Sequence, residues 1–228
     1  MEPSAVAIVP AAGVGQRVGT DAPKAFLTVG SRSILAMAAD AVCACPAVSA
    51  LVVAVPDGWQ AAAEHALERR RVPSTVVVGG ASRQASVRAA LDAVPAGSDI
   101  VVVHDAARPF ASPEVFARVL AAIADGAEAA VPVVPVLDTV IRVRAGVLAG
   151  TEPRDELSLA QTPQAFRLEV LREAHGKAEA SGFAFTDDAT MVEWAGIEVR
   201  TVAGDAANRK ITTSADLAEA RRLVEGDA

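Results

Sequence analysis

Short apolar runs alternate along the chain with longer segments in which apolar residues recur at helical spacing. The runs predict strands at residues 5–9, 50–55, 75–78, 100–103 and 129–134, and they are apolar nearly throughout, as expected of strands covered on both faces. The segments between them predict helices at residues 33–44, 60–71, 82–93 and 113–124. Strands that alternate with helices in this way predict an α/β fold, in which helices flank a Rossmann-like, mostly parallel sheet.

A different pattern begins after residue 134. Residues 138–143 alternate polar and apolar side chains, Ala145-Gly146 can turn the chain, and residues 147–149 are mostly apolar. This pattern predicts a protruding β-hairpin arm at about residues 137–155. An isolated hairpin is only marginally stable in water, so the arm should pack either on a second subunit or back on its own domain. The sequence favours neither alternative.

The rest of the chain continues the helical and strand patterns. It predicts helices at residues 167–180 and 187–194, a strand at 197–202 and a final helix at 214–224. No internal repeat, low-complexity segment or linker is visible, so residues 1–228 are predicted to form a single domain.

The charge of the chain excludes some classes of partner. The formal net charge of the 228 residues is −7, whereas nonspecific binding to nucleic acid or to an anionic membrane needs a basic field. Residues 34–55 are long and apolar enough to resemble a membrane span, but Asp40, Pro46 and Ser49 interrupt them. We therefore expect neither a nucleic-acid nor a membrane partner.

The cysteines indicate a reducing compartment. Cys43 and Cys45 are the whole complement, too few for a disulfide framework, and the first four residues lack the basic segment of a signal peptide. A Cys-x-Cys pair can also bind zinc, but the three histidines are scattered singly. We expect two packed thiols and a cytoplasmic protein.

The candidate chemistry begins with a loop of small residues after the first strand. The loop contains Pro10, Ala11, Ala12 and Gly13, and bare backbone N–H groups in such a loop can cradle a phosphate. Its glycine spacing matches neither a Walker A loop nor a dinucleotide fingerprint, so an ordinary strand-to-helix turn is the alternative. Two cations nearby, Arg17 and Lys24, favour a polyphosphate.

His104 and Asp105 directly follow the predicted strand at residues 100–103. A carboxylate at the end of a buried parallel strand lies where such folds hold a metal and its phosphates, and Mg²⁺ needs few protein ligands when phosphates supply the others. Asp105 is therefore a candidate magnesium ligand, with a turn-forming role as the alternative. A lone histidine is more often structural than catalytic, and we expect the former of His104.

A second glycine loop follows the strand at residues 75–78. Gly79 and Gly80 permit close approach of a base or ribose to the backbone, and the hydroxyls that follow can bond a ligand or cap a helix. Alone, this loop is weak evidence for a site. The same holds for Arg154, Thr162, Thr186 and Lys210, for which surface solvation is the default explanation.

Taken together, these segments resemble a known family. They are Pro10-Ala11-Ala12-Gly13-x-Gly15-x-Arg17 with Pro23-Lys24, Gly79-Gly80 with Ser86, His104-Asp105-Ala106-Ala107-Arg108-Pro109, Asp138-Thr139, Gln161-Thr162-Pro163-Gln164, Thr186-Asp187-Asp188-Ala189 and Lys210-Ile211-Thr212. Their order and spacing are similar to those of 2-C-methyl-D-erythritol 4-phosphate cytidylyltransferases, and the resemblance covers nearly the whole chain. Many nucleotidyltransferases share the first loop, whereas the later segments narrow the match.

The resemblance implies an enzyme of nonmevalonate isoprenoid synthesis that joins CTP to methylerythritol phosphate with Mg²⁺ and releases pyrophosphate. By the family's pattern, Arg17 and Lys24 stabilise the transition state, Asp105 carries the metal, and Arg154 and Lys210 hold the acceptor phosphate. The acceptor pocket is lined by Arg108, Thr139, Thr162 and Thr186. The CTP site consists of Pro10, Ala11, Ala12, Gly13, Gly79, Gly80, Ala81, Ser86, Asp105 and Ala106. The resemblance also implies a homodimer in which the arm reaches the neighbouring subunit.

The sequence departs from the family pattern at two places and leaves rival functions open. Ala81 stands where an acidic residue often follows the second glycine. Glu152-Pro153 precedes Arg154 in place of Val-Asp, and Pro153 fixes the backbone next to Arg154. No added cyclase domain is visible, so we expect a monofunctional enzyme. The rivals are a cytidylyltransferase for another polyol phosphate, such as ribitol 5-phosphate, and a noncatalytic nucleotide sensor. The two cations Arg17 and Lys24 speak against the sensor, since binding alone does not require transition-state cations.

Overall fold

A computed structural model describes residues 4–13, 22–68 and 70–226. Its strands are β1 Ala5–Pro10, β2 Thr28–Val29, β3 Arg32–Ser33, β4 Val48–Val55, β5 Ser74–Val78, β6 Ile100–Val103, β7 Ala129–Pro135, β8 Ile141–Arg144, β9 Val147–Thr151, β10 Ser158–Ala160, β11 Gln164–Arg167 and β12 Val199–Ala203. Its α-helices are α1 Ile34–Cys43, α2 Gln60–Leu67, α3 Arg83–Asp92, α4 Pro113–Ala124, α5 Leu168–Ser181, α6 Asp188–Trp194 and α7 Ser214–Gly226. Arg17 lies outside the described residues.

The central sheet follows the path β10–β7–β11–β6–β1–β4–β5, with β12 paired to β7. Neighbours β6, β1, β4 and β5 are all parallel, and β12 is parallel to β7. The two exceptions are β11, antiparallel to β6 and β7, and β10, antiparallel to β7. The predicted α/β fold with a mostly parallel sheet is confirmed. The carboxyl ends of β1, β4, β5 and β6 lie at the same edge of this sheet.

Helices cover both faces of the sheet, and β1 shows how the sequence arranges this. Side chains alternate along a strand, so Ala7 and Val9 join one apolar cluster while Val6 and Ile8 join another. The first cluster includes apolar residues of α1, α2 and α4. The second includes apolar residues of α3, α5 and α6. Burial on both faces explains why these strands are apolar throughout.

A third, smaller apolar cluster attaches α7 to the body of the protein. Leu217 and Ala220 of α7 pack with Val29, Ile34 and Ile211. Because Ile211 lies one residue after Lys210, this packing also positions a candidate site residue.

The structure differs from the sequence analysis at one predicted helix and at two strands for which no prediction was made. The helix predicted over residues 60–71 ends at Leu67, because the chain turns there and Arg71 donates to the carbonyls of Cys43, Cys45 and Val48 at 3.2, 2.9 and 2.9 Å. The short strands β10 and β11 were not predicted, since each has only three or four residues and their ladders depend on partners distant in sequence.

The arm is a two-stranded hairpin of β8 and β9. Ala145 and Gly146 turn the chain with φ of 49° and 80°, as a tight two-residue hairpin turn requires. Val143, Val147 and Leu148 are more than half exposed in the single chain. The arm therefore does not bury these side chains against its own domain.

The apolar stretch at residues 34–55 divides into α1 and β4. Among the residues that the structure describes, no helix is both long and apolar enough to cross a membrane.

Candidate active site

A cavity of about 750 Å³ opens where the parallel strands β1, β4, β5 and β6 end. The chain brings four loops there, as the crevice at the carboxyl ends of such strands requires. The candidate residues that line it are Pro10, Ala11, Ala12, Gly13, Lys24, Gly79, Gly80, Ala81, Ser86, Asp105, Ala106, Thr186 and Lys210. All ten residues predicted for the CTP site thus line one cavity, together with Lys24 and Lys210.

The two glycine loops lie directly against each other. A Cβ atom added to Gly79 would lie 2.5 Å from Cβ of Ala12 and 2.9 Å from Oγ of Ser86. Only a residue without a side chain fits between them, so glycine is needed here for close approach. The Ser86 hydroxyl is buried and donates to the carbonyl of Ser82 at 2.8 Å. The Ser86 oxygen can therefore only accept a hydrogen bond from a bound base.

Asp105 is the electrostatic centre of the cavity wall. Its Oδ1 accepts from Nε of Arg83 at 2.9 Å, and its Oδ2 accepts from Nζ of Lys210 at 2.6 Å. Burial alone would raise the pKa of Asp105, but the charges and hydrogen bonds of Arg83 and Lys210 outweigh it and hold that pKa well below its usual range. Asp105 is therefore a permanent anion between two cations.

Buried polar groups also fix the backbone of Asp105. The Asp105 backbone N–H donates to Oγ1 of Thr162 at 2.9 Å, and that hydroxyl lies 3.3 Å from Nδ1 of His104. Nε2 of His104 is 3.0 Å from the carbonyl of Arg108. Burial lowers the pKa of His104 to about 4, so the ring is neutral at pH 7. These contacts are structural, in keeping with the role expected for His104.

Four of the predicted acceptor-site residues do not line this cavity. Thr162 and Arg108 lie beside it, and the guanidinium of Arg108 donates to the carbonyls of Asn208 at 2.7 Å and Ala160 at 3.3 Å. Thr139 and Arg154 lie at the exposed base of the arm, where Nη1 of Arg154 donates to the carbonyl of Leu137 at 2.8 Å. A single chain therefore does not bring Arg154 to its own cavity in this structure.

Lys24 and Lys210 are joined through one peptide segment. Nζ of Lys24 donates to the carbonyl of Ile211 at 2.9 Å, and the backbone N–H of Ile211 donates to the carbonyl of Ala107 at 2.8 Å. Both lysines line the cavity, and Lys210 binds Asp105 there. The arrangement puts two cations where a polyphosphate and a second phosphate could meet.

The sequence analysis gave no role to Arg83, Asp57 or Asp188, although Asp188 lies in one of the segments that resemble the family. Arg83 and Asp57 line the cavity, and Arg83 joins Asp105 to the buried carboxylate of Asp188 at 2.7 Å. Arg83 stands four residues after Gly79, at the start of α3. This closeness to a glycine loop was the only sequence feature that pointed to Arg83 as a site residue. Nothing in the sequence indicated its pairing with Asp188, which is 105 residues away.

The described residues contain no cluster of three or more His, Cys, Asp or Glu that could hold a metal by itself. Asp105 instead offers a single carboxylate, each of whose oxygens keeps a second lone pair beside its cationic partner. Mg²⁺ bound mainly by phosphate oxygens and water needs few protein ligands. The donor set thus fits a metal that arrives with a polyphosphate, and does not fit a site made by the protein alone.

Comparison with known proteins agrees with this geometry. The family model described as 2-C-methyl-D-erythritol 4-phosphate cytidylyltransferase matches residues 5–226. The chain belongs to this family. A curated family member from Deinococcus radiodurans, which bears the same name, is 44% identical over 97% of this chain and 90% of its own length.

Solved structures of cytidylyltransferases show the same fold. The enzyme of that name from Thermus thermophilus superimposes with a TM-score of 0.80 at 39% identity, over 99% of this chain and all of that one. The 4-diphosphocytidyl-2C-methyl-D-erythritol synthase from Anaerococcus prevotii gives a TM-score of 0.86 at 28% identity, again over 99% of this chain.

Some relatives of this cytidylyltransferase family member are longer than the chain itself. Proteins named "Bifunctional enzyme IspD/IspF" from Nitrobacter hamburgensis and Nitrobacter winogradskyi are each 46% identical over 92% of this chain. The matches cover 52% and 53% of those proteins. The chain thus spans about half the length of these relatives.

Proposed function

We propose that this chain transfers CMP from CTP to 2-C-methyl-D-erythritol 4-phosphate, giving 4-diphosphocytidyl-2-C-methyl-D-erythritol and pyrophosphate in isoprenoid precursor synthesis. The observation that carries the proposal is the shared cavity. Lys24, the two glycine loops, Asp105 and Lys210 all line it. Family membership agrees with this chemistry.

The donor half of the site consists of backbone and two cations. Pro10 has no backbone N–H and that of Ala11 donates to the carbonyl of Ala54 at 2.7 Å, so Ala12 and Gly13 would present their N–H groups to a triphosphate. Gly79 and Gly80 would leave room for the cytidine. Lys24 supplies a positive charge to the α-phosphate, where charge changes most in the transition state. Arg17 has the same role in the proposal, by the family pattern.

The reaction needs positioning more than acid–base chemistry. A phosphate oxygen of the acceptor forms a bond to the α-phosphorus of CTP, and the bond from that phosphorus to the pyrophosphate oxygen breaks. The attacking oxygen is already an anion at neutral pH, so no general base is required. Among the described residues that line the cavity there is no His or Cys. Lys210 and Thr186, which both line the cavity, would hold the acceptor for in-line attack.

Mg²⁺ belongs to the proposal as a partner of the triphosphate. Asp105 would be its protein ligand, and the bound ion would neutralise phosphate oxygens during transfer. Lys210 and Arg83 set the charge and direction of the Asp105 carboxylate.

We also propose that two chains form a homodimer through the arm and that the arm completes the neighbouring site. The exposed apolar side chains of Val143, Val147 and Leu148 support a protein partner for this hairpin. Arg154 and Thr139 lie at its base and outside the cavity of their own chain. A partner's cavity would give both residues the acceptor-binding role that the family pattern implies.

The cytoplasm remains the proposed compartment. Its support is that Cys43 and Cys45 are buried free thiols.

Pyrophosphate release with different acceptors tests the proposed function. We expect robust release from CTP with methylerythritol phosphate, little with ribitol 5-phosphate and none without an acceptor. ³¹P NMR should show the coupled pair of signals of a new diphosphate. Robust turnover of ribitol phosphate alone would assign the rival substrate, and CTP binding without turnover of either acceptor would favour the nucleotide sensor.

A further inference from the structure

A line of ionisable side chains runs from the interior of the protein to the cavity. Nε2 of His175 on α5 lies 3.3 Å from Oδ1 of Asp188 on α6, and both side chains are 1% exposed. Oδ2 of Asp188 accepts from Nη1 of Arg83 on α3 at 2.7 Å, and Nε of Arg83 donates to Asp105 at 2.9 Å. Two helices, α3 and α6, and the loop after β6 therefore meet at one guanidinium, and His175 of α5 lies behind Asp188.

Arg83 is held by two carboxylates at once. Its planar head offers donors in a fixed fork, so using Nε for Asp105 and Nη1 for Asp188 fixes its direction. Burial would lower the pKa of Arg83, but the charges of Asp188 and Asp105 outweigh it and raise that pKa above its ordinary value. Burial would raise the pKa of Asp188, and Arg83 instead holds it below its ordinary range. Both groups are permanently charged.

The four charged side chains of this line are neutral only when they are taken together. Asp105 and Asp188 supply two negative charges, and Arg83 and Lys210 supply two positive charges. A buried ion that loses one partner is strongly destabilised until it moves or finds another. Without the charge of Asp188, the guanidinium of Arg83 would carry excess positive charge at the wall of a cavity built for a triphosphate.

We infer that Asp188 is a positioning residue, which holds Arg83 on Asp105 and keeps it from binding the triphosphate. The inference rests on the proposed function, because the triphosphate is that of CTP. A guanidinium released from Asp188 is attracted to CTP in the ground state and leaves Asp105 with Lys210 alone. The affinity for CTP then increases or stays the same. The contact between Arg83 and Asp105, which serves the transition state, is lost.

The inference predicts opposite effects on binding and turnover. In Asp188→Asn, the side chain keeps its shape and loses its charge, and we expect kcat to fall about tenfold while the KM and the calorimetric Kd for CTP do not rise. A purely structural role would lower the melting temperature and reduce kcat and CTP affinity together. A Kd that rises tenfold with kcat unchanged would overturn the inference.

A double-mutant cycle tests whether Asp188 acts through Arg83. Arg83→Met should lower kcat, and adding Asp188→Asn to it should change kcat by less than about twofold, since the group that Asp188 restrains is gone. Multiplied effects in the double variant would show that Asp188 acts independently and would refute the inference. Arg88→Met is the matched control, because Arg88 lies on the same helix and pairs with Asp92 at 3.8 Å on the surface.

Arg83→Lys provides a second route if Asp188→Asn folds poorly. Lysine keeps the charge but has a single ammonium in place of the fork, so it cannot hold both carboxylates in the same geometry. We expect kcat to stay well below that of the wild type. Full rescue would contradict the two-carboxylate arrangement. Wild-type turnover with methylerythritol phosphate is measured first, and its absence would count against the proposed function and not against the placement of Arg83.

Discussion

Nζ of Lys24 donates to the carbonyl of Ile211 at 2.9 Å, across 187 residues of sequence. The next residue toward the N-terminus, Lys210, binds Asp105. The cation proposed for the donor and the cation proposed for the acceptor are thus attached to the same short segment. Ile211 is buried in the apolar cluster that includes α7, so a helix remote in sequence helps to place both lysines.

Removing the charge of Lys24 should affect turnover more than binding. In Lys24→Ala we expect kcat to fall about a hundredfold or more while CTP still binds, because the lost charge acts mainly in the transition state. Steady-state kinetics and calorimetry with CTP measure the two effects. Lys177→Ala is the control, since Lys177 pairs with Glu173 on the exposed face of α5. Unchanged turnover of Lys24→Ala would refute its assignment.

Subunit mixing tests whether Arg154 acts across an interface. Lys24→Ala and Arg154→Ala should each be nearly inactive alone, and a mixture should recover activity, since a mixed dimer contains one site with both residues intact. Pyrophosphate release before and after subunit exchange measures the recovery. If mass spectrometry confirms mixed dimers and activity stays absent, Arg154 does not act in the partner's site.

Gly79 should be intolerant of even a methyl group. In Gly79→Ala, the new Cβ would lie 2.5 Å from that of Ala12, so the two glycine loops must separate. We expect the KM for CTP to rise about tenfold or more, as measured by initial rates at saturating acceptor. Gly176→Ala is the matched control, because Gly176 lies in α5 and a Cβ there meets nothing within 4 Å. The control should stabilise the protein by up to about 1 kcal/mol.

His104 should make the stability of the protein depend on pH. Burial lowers its folded pKa to about 4, whereas an unfolded histidine has a pKa of about 6.5. Between these values only the unfolded state binds the proton, so the free energy of unfolding falls as the pH decreases from about 6.5 to about 4. The loss amounts to about 3 kcal/mol over the full window.

Urea unfolding at pH 7 and pH 5 measures this effect. In His104→Gln the part of the pH slope due to this residue should disappear, even if the variant is less stable at both values. His65→Gln is the control, because the side chain of His65 is 82% exposed. An unaltered slope in His104→Gln would contradict the proposed burial effect.

The sequence by itself determined the layers of the fold and which loops meet at the cavity. Strands such as β6, which is apolar at all four positions, indicate burial on both faces, and parallel strands bring their carboxyl ends to one edge. The loops after β1, β5 and β6 are therefore local consequences of the pattern. The position of Gly79 directly after β5 could be predicted without its close approach to Ala12, whereas its role toward CTP stays a prediction from the family resemblance.

Only the tertiary structure decided the contacts between residues distant in sequence. The pairing of Arg83 with Asp105 and Asp188, and of Lys24 with Ile211, joins positions 22 to 187 residues apart. The exposed arm was visible as a pattern, but the position of Arg154 outside its own cavity was not. Periodicity records which face of an element is buried, whereas a salt bridge or hydrogen bond between two elements depends on how those elements pack.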